Sequence, residues 1–175
     1  KDEEIVAARE RLYTKEGGHE RALLAEVVFA EGLGRRDWLG KDTSARLTSR
    51  YDDIERGADI LVTVPNPHNP GRDTIFILDI TVSEEGSRSA EKLVSEADRL
   101  LAEEPTRLKY FRGVKNPLNR FIIGIPPHQL TEMANILRGR ETDRRLEKLI
   151  QLEITHTLIY QAFRQIDLVL RHWEV

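Results

Sequence analysis

Two aspartates stand where aspartate is costly. Asp59 lies near the start of the apolar run 58–64, and Asp79 lies inside the apolar run 74–82. Both runs are rich in Ile, Val, Leu and Thr, as expected for strands covered on both faces. The intervening stretch, 65–73, carries three prolines and a glycine and cannot be regular structure. The pair therefore reads as a hairpin with a long loop. If Val64 faces Thr74 across the loop, antiparallel pairing places Asp59 opposite Asp79, with Cβ atoms roughly 4.5–5.5 Å apart. Two opposed carboxylates on apolar strands repel and lose hydration. A divalent cation offsets that, because hard cations bind carboxylate oxygens. The plainer alternative is that Asp59 caps the strand start while Asp79 pairs with an arginine or accepts backbone N–H groups.

The elements that must position these acids follow from period and punctuation. Residues 1–16 read as a charged helical lead-in, closed by Gly17-Gly18. A helix over about 19–32 carries Leu23, Leu24, Val27 and Val28 at helical spacing, ended by Gly32 and Gly34. Residues 35–49 are polar and irregular, with Trp38 and Leu39 as anchors and a further strand near 46–51. After the hairpin, 87–104 returns to helical spacing through Ala90, Leu93, Val94, Ala97, Leu100 and Leu101. A strand follows at 120–125, then a short helix to about Arg138 and a long one over about 141–171. A helix between two strands of one sheet is a crossover, so the expectation is a mixed sheet with helices on both faces. One α/β domain fills 1–175, with a core over 18–125 and C-terminal helices over 127–175.

Composition narrows the function classes. With 175 residues and no cysteine, a disulfide scaffold, a thiolate zinc site and a cysteine nucleophile are excluded. No apolar run approaches a membrane span. The charged start, Lys1 to Glu4, has no apolar signal region and no initiator methionine, which points to trimmed first residues and an intracellular, cytoplasmic setting. The net charge of −3 is unlike that of a uniformly basic nucleic-acid binder. Arg138, Arg140, Arg144, Arg145 and Lys148 form a local basic group that could follow a phosphate backbone, diluted by neighbouring acids. The five histidines show no ligand spacing, Ser83 and Ser87 no triad, and Gly32-Leu33-Gly34 no phosphate-loop context.

In this setting Gly57-Ala58-Asp59-Ile60 and Leu78-Asp79-Ile80-Thr81 resemble the two acidic motifs of the PD-(D/E)XK nucleases, the restriction-endonuclease-like superfamily. The resemblance covers about 18–125 and implies a helix, three strands, a helix and a strand, with magnesium or manganese held by Asp59 and Asp79. It further implies a glutamate from the first helix, Glu20 in first place and Glu26 in second; Glu31 lies near that helix's end. Asp52 and Asp53 read as turn residues, with Asp53 also a possible further ligand. Thr81 stands where the superfamily carries lysine. Thr81 could orient the attacking water, but the cation must come from elsewhere: Lys92, in Ser89-Ala90-Glu91-Lys92-Leu93, or Lys109. With Ala90 taken as the centre of the helical stripe, Lys92 points to the far side.

The function implied is metal-dependent hydrolysis of DNA phosphodiester bonds. The alternative is a catalytically inactive module of the same fold that binds nucleic acid or protein. Many enzymes of the superfamily cut as dimers, so a homodimer is a further expectation.

Overall fold

The computed structural model describes residues 19–69, 71–82, 87–102, 106–111 and 118–138, with parts of 148–163. The lead-in helix over 1–16 and most of the basic group over 138–148 lie outside the described residues, as does much of the long last helix. The elements are α1 (His19–Arg35), β1 (Ser44–Leu47), α2 (Arg50–Arg56), β2 (Ile60–Val64), β3 (Thr74–Val82), α3 (Ser87–Leu101), β4 (Asn119–Ile125) and α4 (Pro127–Arg138). The chain is α/β, with a four-stranded mixed sheet in the order β1-β2-β3-β4. β1, β2 and β3 pair antiparallel, and β4 joins β3 in parallel after the α3 crossover. No helix among the described residues is long and apolar enough to cross a membrane.

The hairpin register matches the sequence expectation. Val64 faces Thr74, and the ladder runs to Ile60 opposite Leu78. Because side chains alternate across a strand, this register divides the sheet into two faces. Ile60, Val62, Leu78, Ile80, Ile123 and Ile125 point to one face and pack against α1 and α4. Leu61 and Ile77 point to the other, joined by Ala58, Leu108 and Leu118. Asp79, Thr81 and Arg120 share the second face by the same alternation, so this face turns from apolar to polar along β3.

The phase of α1 differs from the expectation. The buried residues are Ala25, Val28, Phe29 and Leu33, whereas Leu23 and Val27 are about half exposed. Small residues hold the buried stripe: Ala25, and Gly32, onto which the Trp38 ring packs so closely that a Cβ would lie 2.2 Å from it. Gly32 is thus a seat for Trp38 and not a terminator, and the helix runs on to Arg35. Full burial of each large apolar side chain contributes about 1.5–3 kcal/mol, which fixes α1 across the sheet.

The expected strand near 46–51 ends earlier, at Leu47, and Arg50–Arg56 is a helix. Its start is a side-chain cap: the Ser49 hydroxyl accepts from the Asp52 N–H at 3.1 Å and donates to the Asp52 carboxylate at 2.8 Å. Its end is Gly57, in the left-handed region at φ 59°, whose N–H reaches the Asp53 carbonyl at 2.9 Å. Asp52 and Asp53 are therefore helical residues and not turn residues.

Candidate metal centre and its cationic partners

The short helix α2, stopped by Gly57, turns the chain straight into β2. That reversal brings Asp53, in α2, back against Asp59, just before β2. Glu26 reaches the same point from the edge of the buried face of α1. One carboxylate oxygen from each of Glu26, Asp53 and Asp59 lies within 4.8 Å of the others.

Asp59 continues the ladder with its side chain. Its N–H donates to the Leu78 carbonyl at 3.1 Å, and its Oδ2 accepts from the Ile80 N–H at 2.6 Å. The strand-cap role and the cluster role therefore fall on one residue. Asp79 lies on β3 one step past the last hairpin pair, buried, and does not complete the trio. Its Oδ1 meets Lys92 Nζ at 2.5 Å, and its Oδ2 faces the Arg120 guanidinium at 3.9 Å.

Burial outweighs the nearby cations and shifts the acids upward. Glu26 is raised from 4.5 to about 7, first by burial and then by the charge of Asp53, with Arg50 opposing. Asp59 is raised well above the usual carboxylate range by burial, then by Asp79 and Asp53. Asp53 is raised by burial, against the opposing Arg50 guanidinium, with which it forms an ion pair. At an effective dielectric of 20, two charges 4 Å apart repel by about 4 kcal/mol, so the trio cannot all ionise cheaply without a cation. Hard oxygen donors, close spacing and suppressed ionisation together fit a divalent ion such as Mg²⁺ or Mn²⁺.

The cations come from α3 and β4. Lys92 does reach the site, contrary to the helical-wheel expectation. Among the described side chains of α3, Glu96 is buried and Val94 is about half exposed, so Glu96 and not Val94 faces inward. Lys92 is four residues before Glu96 and shares its face. Arg120, buried on β4, was missed by the sequence reading. Its guanidinium donates to Glu96 at 2.8 Å and to the Arg56 carbonyl at 2.6 Å. Gly57 sits against both site charges: a Cβ there would lie 2.7 Å from Arg120 and 2.9 Å from Asp79.

No protein-family profile, no curated protein and no solved structure matches this chain. The site must be judged on its geometry.

The remaining expected residues fall into two groups. Thr81 is buried on the Asp79 face, and its hydroxyl has no hydrogen-bond partner among the described residues. Glu20 is exposed in the first turn of α1, outside the carboxylate trio. It lies six residues before Glu26, about two-thirds of a turn away in phase and ~9 Å along the axis, so the first-choice glutamate gives way to the second. Glu31 pairs with Arg35 at 3.2 Å on the surface of α1. The Lys109 ammonium lies over the rings of Tyr51 and Tyr110, at 4.5 and 5.3 Å. Asp52, fully buried, accepts the backbone N–H groups of Lys109 at 2.7 Å and Tyr110 at 3.1 Å, which makes it a clasp between α2 and the segment 106–111. A cavity of about 50 Å³, lined by Phe29, Ile123, Ile125 and Met133, lies on the α1 and α4 face of the sheet and holds none of the trio.

Proposed function

We propose that this chain is a divalent-metal-dependent nuclease acting on DNA, with a restriction-endonuclease-like core whose acidic centre has shifted toward α2. The observation that carries this reading is the convergence of Glu26, Asp53 and Asp59 within 4.8 Å, next to the Asp79–Lys92 pair. The strand order and the α3 crossover agree with the core that the motifs imply.

Glu26, Asp53 and Asp59 would hold the ion. A bound Mg²⁺ lowers the pKa of water and stabilises charge on a phosphate oxygen. Lys92, still about two-fifths exposed, supplies the positive charge that Thr81 cannot. Asp79 and Glu96 fix where the two cations stand: Asp79 orients Lys92, and Glu96 holds Arg120. The buried Thr81 hydroxyl is available to accept from or donate to a water on the Asp79 face. Without the ion, burial raises Glu26 to about 7; a bound divalent ion would hold it ionised as a ligand.

A second reading is favoured by one observation. Both Asp79 oxygens already face cations, as in a closed structural network, and this suits an inactive binding module on the same fold. Calorimetric titration of Mg²⁺ and Mn²⁺ into the wild type, Asp59→Asn and Asp79→Asn, followed by plasmid nicking, separates the two. The expected result is binding and nicking by the wild type, both lost in Asp59→Asn, with Asp79→Asn losing nicking more than binding. A wild type that neither binds metal nor nicks would sink the catalytic reading.

A further inference from the structure

The acidic centre has a neighbour built from different chemistry. Residues 106–111 cross the second face of the sheet, where buried Leu108 packs with Ala58, Leu61 and Ile77. Arg107 and Lys109, on either side of Leu108, are exposed, and Tyr110 is about half exposed. The Tyr110 ring meets the Tyr51 ring edge to face, with centroids 5.5 Å apart, and the Lys109 ammonium covers both. The backbone beneath is fixed, because Asp52 takes the N–H groups of both Lys109 and Tyr110. Hydrogen bonds to a carboxylate are among the stronger ones, so the backbone of these two exposed residues is held in place.

We propose that Tyr51, Lys109 and Tyr110, with Arg107, form a landing surface for unpaired nucleic acid beside the carboxylate centre. The inference rests on the nuclease reading for the identity of the polymer and adds its form, a single strand or a locally opened stretch. Aromatic faces stack on any base; a base arriving here would displace the Lys109 ammonium from the rings, and that ammonium and the Arg107 guanidinium would then meet the phosphates between bases. A closed duplex hides its base faces and offers phosphates alone, so this surface discriminates between the two. Its position is set by the chain: Asp52, which clasps the platform, precedes Asp53 of the metal trio, and Tyr51 precedes Asp52. Tyr51 and Asp53 lie on opposite sides of α2, about one helix width or ~10 Å apart. A strand held at the tyrosines would pass around α2, one helix width, to bring a neighbouring phosphate to Asp53, Asp59 and Lys92. The arrangement also fits a chain with a net charge of −3, since affinity from stacking does not need an overall basic surface.

The test is fluorescence anisotropy with a labelled single-stranded DNA oligonucleotide and the duplex of the same sequence, in EDTA so that no cleavage occurs. The proteins are the wild type, Tyr110→Ala, Tyr110→Phe and Lys109→Gln, each checked for an unchanged thermal midpoint. The wild type is expected to bind the single strand more tightly than the duplex. Tyr110→Ala should weaken single-strand binding by about 5- to 150-fold, the range one stacked base supplies, while Tyr110→Phe stays within about 2-fold. Lys109→Gln should reduce the slope of log affinity against log salt by about 0.7. Single-strand binding unaffected by Tyr110→Ala, equal binding of the duplex, or no binding overturns the proposal. Because no metal is present, a chain that nicks plasmids but ignores Tyr110→Ala keeps the nuclease and loses this surface. A chain that binds single strands through Tyr110 but holds no metal loses the nuclease and keeps a binding module.

Discussion

Glu26→Gln is the most informative single change, because it separates the charge of the trio from its shape. In the wild type the Glu26 carboxyl lies at about 7, above its ordinary value of 4.5, because burial and Asp53 disfavour its charge. A raised value means that the folded chain binds the extra proton between these limits. The stabilisation is complete below about 4.5 and is lost as pH rises through about 7. A carboxyl moved that far carries at most about 3 kcal/mol, and with the side chain partly open to water the screened share is about 1–2 kcal/mol. Asp53 and Asp59 are shifted in the same direction, so the metal-free wild type should lose stability between pH 5 and pH 8. Glutamine is nearly isosteric and carries no charge, so Glu26→Gln should lose about 1–2 kcal/mol less over that window. For a chain of this size each kcal/mol moves the thermal midpoint by about 2–4 °C. The measurement is thermal unfolding by circular dichroism at pH 5, 6.5 and 8, in EDTA and in Mg²⁺. Mg²⁺ should restore the wild type most at pH 8, by about 2.7 kcal/mol when it is at a hundred times its dissociation constant, and should restore Glu26→Gln less. A metal-free wild type whose stability stays flat or rises from pH 5 to pH 8 would refute the reasoning. So would a Glu26→Gln variant that declines as steeply as the wild type.

Two further predictions test the scaffold and the cation. Gly57→Ala places a Cβ in the left-handed region, at about 1–2 kcal/mol, and against Arg120 and Asp79 at 2.7 and 2.9 Å; a fall in thermal midpoint of roughly 5–10 °C is expected, and an unchanged midpoint would show that the turn yields freely. Lys92→Met leaves buried Asp79 with only the longer Arg120 contact, so about 1–3 kcal/mol of stability should be lost. Plasmid nicking should fall at least 100-fold while calorimetric Mg²⁺ binding persists; nicking at the wild-type rate would remove Lys92 from the chemistry.

The legible parts of the sequence were those set by strong, local physics. The prolines and glycine of 65–73 bracket the hairpin, and the register supposed from them, Val64 facing Thr74, is the one the structure has. The α3 crossover was legible for the same reason: strand and helix periods differ. The phase of α1 was not, because Ala25 and Gly32 hold buried positions while the larger Leu23 and Val27 face outward. Weighting by hydrophobicity rotates such a helix and favours Glu20 over Glu26. The inward face of α3 was missed because Glu96, buried against Arg120, is indistinguishable from a surface glutamate in the sequence. Arg120 did carry a signal: it alternates with Ile122 on β4, a charged residue in a buried register. Asp53 carried one too, since Ser49 three residues before Asp52 and Gly57 beyond are the cap and stop of a short helix. The motif resemblance drew attention to the strands, whereas the third carboxylate comes from the short helix that leads into them.

The distribution of ion pairs explains why the trio differs from the set the motifs imply. Among the described residues Asp79 faces Lys92 and Arg120, Glu96 faces Arg120 and Arg99, and Asp53 pairs with Arg50. Glu26 and Asp59 have no ion-pair partner there, and these are the acids whose protonation is most clearly favoured by their surroundings. The uncompensated negative charge therefore sits between α1 and the start of β2, one strand away from Asp79. A divalent ion gains most where carboxylates are close, and it competes with one resident cation at the trio, Arg50 on Asp53, against two at Asp79. On the proposed reading Asp79 would serve the site by holding Lys92 in place, and the α2–Gly57 turn would decide where a metal binds. On that reading, the missing motif lysine and the position of the acidic trio would have one cause. With Lys92 on Asp79, the second motif acid is engaged, and Asp53 would supply the oxygen that Asp79 does not offer.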